Sequence, residues 1–143
     1  MKSLTLIEIL FVIILLGILV SVGAPQVKKT FEALELNSFS RDLQAFMNYL
    51  SERAIILEEP ITLHFEKNGR FAWAEAGDEE EKVKLKTIKI PEGIVVSAEK
   101  EAITFSPDAG IDKITVTLTN KNNQKVMLTT KGIADGVKIL GEK

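Results

Sequence analysis

Few residues in this chain are equipped for chemistry. Among 143 residues there is one His, His64, and no Cys. A His-ligated metal centre, a thiolate site and a His-based nucleophile triad therefore lack their raw material. What remains is carboxylate chemistry at three places. Glu8 stands at the front of a long apolar run. Asp78-Glu79-Glu80-Glu81 could attract a hard divalent cation, but without interleaved Gly or Asn it reads as a solvated loop. Asp108 and Asp112 flank Gly110 and are weak candidates for a shared Ca²⁺, the plainer reading being Asp capping of a Pro-Asp turn. His64 falls mid-strand on a polar face, where a lone His is a solvated or hydrogen-bonded residue. No nucleophile, base and orienter occur together, so the chain is expected to be no enzyme, with no cofactor and no metal centre. The net charge is −2, and Lys131, Lys138 and Lys143 are offset by Asp135 and Glu142. Phosphate capture needs clustered cations, so no nucleic-acid partner is expected.

Glu8 can be understood only through the element that carries it. Of the first 27 residues 18 are apolar, and only two of the chain's 38 charges, Lys2 and Glu8, lie there. Residues 9–27 contain no charge at all, long enough to cross a bilayer core as a helix, which takes about 20 residues. A secretory signal peptide would have a shorter apolar core. Ser21-Val22-Gly23 could pass for its cleavage site, but Pro25 follows closely and a carboxylate sits at the front. A plain anchor helix has the same difficulty, because a carboxylate deep in a bilayer costs roughly 2.5–3.5 kcal/mol and less near the interface.

Ser3-Leu4-Thr5-Leu6-Ile7-Glu8-Ile9-Leu10, followed by the apolar run, resembles the class III signal of type IV pilins and type II secretion pseudopilins. The resemblance implies a leader of residues 1–3, cut between Ser3 and Leu4 by a prepilin peptidase, with N-methylation at Leu4. It makes Glu8 the fifth residue of the mature chain, where that family has its glutamate. Thr5, Gly17 and Pro25 join Glu8 as the implied assembly residues. A neighbour's Glu8 would neutralise the new amine of Leu4 in a low-dielectric filament core, where an unpaired charge is strongly unfavourable. Ser3 departs from the pattern, since the family has Gly before the cut, a residue suited to an extended backbone in a tight cleft. Lys2 and the initiator amine keep the N-terminus cytoplasmic by the positive-inside rule.

Apolar periodicity continues beyond Pro25. Phe31, Leu34/Glu35, Phe39, Leu43, Phe46, Leu50, Ala54 and Leu57 recur at steps of three and four, with Lys28, Lys29, Glu32, Arg41, Asp42, Asn48 and Glu52 largely opposite. This predicts a helix from about residue 4 to about 58, roughly 80 Å long. Pro25 should kink or loosen it, and Pro60 should end it. The stripe is expected to be core, with Phe31 and Leu36 set aside as residues that touch neighbouring subunits. The division is then a span at 4–27, an amphipathic half at 28–58 and a head at 60–143.

After Pro60 the period becomes two. Ile61, Leu63 and Phe65 alternate with polar residues, and Asn68-Gly69 marks a hairpin. A two-residue loop would put Phe71 and Trp73 on the face of Thr62, His64 and Glu66, whereas a three-residue loop at 67–69 would pair Glu66 with Arg70 and place them on the face of Leu63 and Phe65. Burial of two aromatics favours that register. Further strands are expected at 83–90, 94–98, 102–105, 114–118, 125–130 and 137–140. The fold class is α+β: a long helix packed on an antiparallel β-rich head.

The stretch 43–63 and the segment from Ile103-Thr104-Phe105-Ser106-Pro107-Asp108 to Gly132 resemble the H-type minor pseudopilins and the related FimT minor pilins. That resemblance implies a structural subunit of a type II secretion pseudopilus, a minor one at the tip or initiating assembly. Its partners would be other pseudopilin or pilin subunits, the prepilin peptidase, an inner-membrane assembly platform and the lipid bilayer. It would wait as a single-pass inner-membrane protein with a periplasmic head before entering a periplasmic filament. A minor or major pilin of a type IV pilus, and a membrane-anchored periplasmic binding domain that never polymerises, are the alternatives.

Overall fold

The computed structural model describes residues 5–67, 69–77, 81–130 and 136–140. One helix, α1 (Leu6–Leu57), precedes eight strands: β1 (Ile61–Phe65), β2 (Phe71–Ala76), β3 (Val83–Lys89), β4 (Val95–Ala98), β5 (Ala102–Phe105), β6 (Thr115–Thr119), β7 (Lys125–Thr130) and β8 (Val137–Leu140). At 52 residues α1 is about 78 Å long. It is assigned helical without a break through Pro25, which lacks the N–H that would reach the carbonyl of Ser21. Glu58 stops it in a left-handed conformation (φ 55°), its N–H donating to Ile55 O, and Pro60 prevents continuation.

The strands form two four-stranded antiparallel sheets rather than one meander. The first has the order β3-β2-β1-β5 and the second β4-β6-β7-β8. The second half of α1 packs against β1 and β5 of one sheet and β6, β7 and β8 of the other. Its buried positions are Leu36, Phe39, Ser40, Leu43, Phe46, Met47, Leu50 and Ala54. They meet Ile61, Leu63, Ile103 and Phe105 from the first sheet, and Val116, Leu118, Val126 and Leu128 from the second. The buried stripe is therefore out of phase with expectation at its start. Leu36 is wholly buried in its own head, while Phe31 and Leu34 are 66% and 58% exposed and Glu35 is exposed. Below residue 36 the head meets the helix only partly, at Glu32 and Ala33, and Phe31 and Leu34 are not covered by it.

The hairpin register also differs. Phe65 pairs with Ala72, His64 with Trp73 and Leu63 with Ala74, and Glu66 N–H donates to Phe71 O. The loop thus has four residues, and Phe71 and Trp73 share the outer face with His64. Ala72, Ala74 and Ala76 turn inward and are buried. The reason is space. The helix supplies the inner aromatics, and Phe46 extends over β3, with Lys86 Nζ 6.0 Å from its ring; Lys86 is the direct partner of Ala74. Larger side chains on the inner face of β2 would collide with that layer.

Two devices fix the edges. Asn48 Oδ1 accepts the N–H of Val137 (3.2 Å) and Gln44 Nε2 donates to Val137 O (2.7 Å), so one turn of α1 caps the outer side of β8. Thr130, buried at the end of β7, accepts the N–H of Ile114 (2.9 Å) on Oγ1 and donates to the carbonyl of Asp112, tying β7 to the segment that crosses between sheets.

Candidate assembly surface on the helical stem

The first half of α1 is exposed along its whole length. Fifteen large apolar side chains in residues 6–27 are exposed, Leu6 and Ile7 by 85% and 73%. It is the one described helix long and apolar enough to cross a membrane. At even ~1.5 kcal/mol for each large side chain, leaving this surface in water costs on the order of 20 kcal/mol. That exceeds the 5–15 kcal/mol that usually holds a domain folded. The surface must therefore be covered by lipid or by protein.

Two hydroxyls within the stem are satisfied locally. Ser21 Oγ donates to Ile18 O (2.8 Å) and Thr30 Oγ1 to Gln26 O (3.1 Å). Gly17 has no atom near the position a Cβ would take, so its bare backbone is open to a neighbour. Thr5 is the N-cap residue in extended conformation, and its side chain makes no capping bond. Its carbonyl accepts the N–H groups of Glu8 (3.0 Å) and Ile9 (3.2 Å). Glu8 is the acidic residue of the first turn, where a negative charge is favoured by the helix dipole. Among the described residues no cation pairs with it. Ser3 and Leu4 lie outside the described residues. So Thr5, Glu8, Gly17 and Pro25 stand along one continuous exposed helix, with Thr5 and Glu8 at its tip.

Where the stem enters the head, two loops meet it. Asn122, in the turn between β6 and β7, donates to Glu32, and the backbone at Gly93 approaches Glu35 and Lys121. Phe31 and Leu34 line the open groove beneath these loops, of about 1290 Å³.

The remaining candidates are engaged elsewhere. Asp108 Oδ1 accepts the N–H of Gly110 (3.2 Å), which is turn capping. Asp112 Oδ2 accepts the N–H of Thr104 (3.4 Å) and lies 3.6 Å from Lys100 Nζ. Residues 78–80 of the acidic run lie outside the described residues, and among those described no cluster of three or more acidic or His residues is placed to hold a metal. His64 is stacked on Trp73, with ring centroids 5.5 Å apart, and its Nε2 is 3.5 Å from Glu75 Oε2. At that distance no hydrogen bond is formed. Sequence reasoning missed Gln44 and Asn48 as structural groups; the signal was their i, i+4 spacing on the face next to the buried stripe.

Comparison with solved structures places the fold. The minor pseudopilin EpsH from the type 2 secretion system of Vibrio cholerae superposes with a TM-score of 0.63 over 75% of this chain and 97% of that one, at 12% identity. The chain has a type IV pilin-like fold. No family model matches the sequence, and no curated protein matches it. At this identity the likeness is one of architecture alone.

Proposed function

We propose that this protein is a structural, non-catalytic subunit of a type II secretion pseudopilus, of the minor class that sits at the tip or starts assembly. The observation that carries the reading is the exposed stem. It is too apolar for water, long enough for a bilayer, and bears a single carboxylate in its first described turn. In the proposed cycle the chain is held as a single-pass inner-membrane protein, N-terminus cytoplasmic and head periplasmic. Prepilin peptidase cuts between Ser3 and Leu4, and Leu4 is N-methylated. The subunit then leaves lipid for a filament in which helix contacts replace acyl chains. Glu8 neutralises the amine of a neighbouring subunit and sets axial register, and the open backbone at Gly17 admits close helix packing. An inner-membrane assembly platform and other pseudopilins are the partners.

The test is Glu8→Ala in cells that assemble the filament. Membrane insertion should be retained, while recovery in sheared filaments falls by roughly tenfold or more, as expected for an unpaired buried amine. Equal recovery of variant and parent would overturn the pairing role. In the same cells, mass spectrometry of the mature N-terminus should find methylated Leu4, and Ser3→Gly should speed its appearance.

A further inference from the structure

We propose that the groove where the stem enters the head binds the headgroup of a zwitterionic phospholipid, of the phosphatidylethanolamine type, while the subunit is held in the membrane. The inference rests on the membrane-held stage proposed above and adds a defined lipid site to it.

The groove begins where the uncharged span ends. On its stem side Ala24 and Val27 belong to that span, and Phe31 and Leu34 extend the same apolar strip at helical steps of three and four. With residues 9–27 in the hydrocarbon core, residues 28–32 fall in the headgroup layer. Four residues beyond Lys28 rise about 6 Å, and that layer is roughly 5–8 Å deep on each side. A lipid whose acyl chains lie along the span therefore carries its own headgroup into the groove. The volume of about 1290 Å³ is ample, since small-molecule sites occupy roughly 300–1,000 Å³.

The charges of the groove match a zwitterion. Lys28, Lys89 and Lys121 are balanced by Glu32, Glu35 and Glu92, so the lining is neutral as a whole. An anionic headgroup would need a cationic excess and would meet these carboxylates with like charge. The order along the stem fits as well. Lys28 is the first charge after the span, and Glu32 and Glu35 follow it outward on the same face at steps of four and three. In a phospholipid the phosphate lies next to the acyl chains and the amine lies outermost, so each meets its opposite. Glu32 already accepts from Asn122, which leaves Glu35 and Glu92 for the amine. A Cβ at Gly93 would lie 3.6 Å from Glu35 Oε2 and 3.7 Å from Lys121 Cε, so a carboxylate and a cation converge on this one loop. Among the described residues the side chains of Lys28, Lys89, Lys121, Glu35 and Glu92 make no hydrogen bond or ion pair, so they are not engaged with one another. A primary ammonium offers three N–H donors to carboxylates. The quaternary amine of choline offers none, and this favours ethanolamine.

The test uses the full chain in nanodiscs made of equal parts phosphatidylethanolamine, phosphatidylcholine and phosphatidylglycerol. Co-elution with the discs reports membrane integration. The chain is then stripped into detergent, and the lipid it retains is weighed by native mass spectrometry. Phosphatidylethanolamine should be retained over each of the other two by roughly tenfold or more. Lys28→Gln should lower retention of all phospholipid. Glu35→Gln combined with Glu92→Gln should bring phosphatidylethanolamine down to the level of phosphatidylcholine. Lys29→Gln, next in the chain but outside the groove, should change neither. All four positions are exposed, so the head should fold as before. Lipids retained in the ratio supplied, a preference for phosphatidylglycerol, or unchanged retention in both groove variants overturns the proposal and leaves the membrane-held stage standing. So does a second copy of the chain retained in place of lipid. A chain that does not integrate overturns that stage, and the site with it.

Discussion

Thr130 carries more of the head's architecture than its size suggests. Its hydroxyl accepts from Ile114 and donates to Asp112, and it is 1% exposed. Thr130→Val keeps shape and removes both bonds, stranding the N–H of Ile114 in the core. Chemical denaturation of the full chain in detergent should show a loss of about 1–3 kcal/mol. Nothing in the sequence separates this Thr from its neighbour Thr129, because its partners belong to a crossing segment whose path is a tertiary property. Glu8 stands out in the sequence for the opposite reason, because a lone carboxylate before a long uncharged run needs no tertiary context to be noticed.

At the scale of elements, strand locations were largely readable and strand facing was not. The eight strands follow the alternation in the sequence to within a residue or so. The register of β1 against β2 turned instead on which side of β2 the helix occupies. Two aromatics looked like the buried set, yet the alternating Ala72, Ala74 and Ala76 are the inner face, at 0–3% exposure. This makes Ala74 a sensitive position. Ala74→Leu should lower stability by about 1–3 kcal/mol through overpacking, read as a fall in the thermal midpoint. The outward Phe71→Leu serves as the contrast and should leave the midpoint nearly unchanged. The phase of the helical stripe failed similarly: periodicity identified one face of α1 but could not say where along it the head begins.

For the whole molecule, one helix is divided among three surroundings. Residues 36–54 contain the buried core positions, residues 9–27 form the uncharged span, and residues 28–35 lie between, met only by two head loops near Glu32 and Glu35. Amide exchange on the chain in lipid nanodiscs should reflect this division. Slow exchange is expected in both outer segments, one shielded by lipid and the other by the core, with a faster stretch at 28–35 held by intrahelical bonds alone. Uniform protection from 9 to 54 would mean that the stem sits deeper or that the loops close over it. The sequence showed the α+β division of the chain because that division follows polarity. It did not show that the head is two sheets, because the break depends on which strands pair across long separations in the chain.

The unbroken course of α1 also has a mechanical meaning. A pull on the head along the stem axis travels through backbone hydrogen bonds in series, and the head grips its part of the rod lengthwise over residues 36–54. Loading is then in shear, with many side-chain contacts resisting together, rather than peeling them apart one at a time. The compliant point in that line is Pro25, where one rung of the helix is missing. Tension should therefore be taken up first by local stretching of the helix at Pro25, below the head, before it reaches the core.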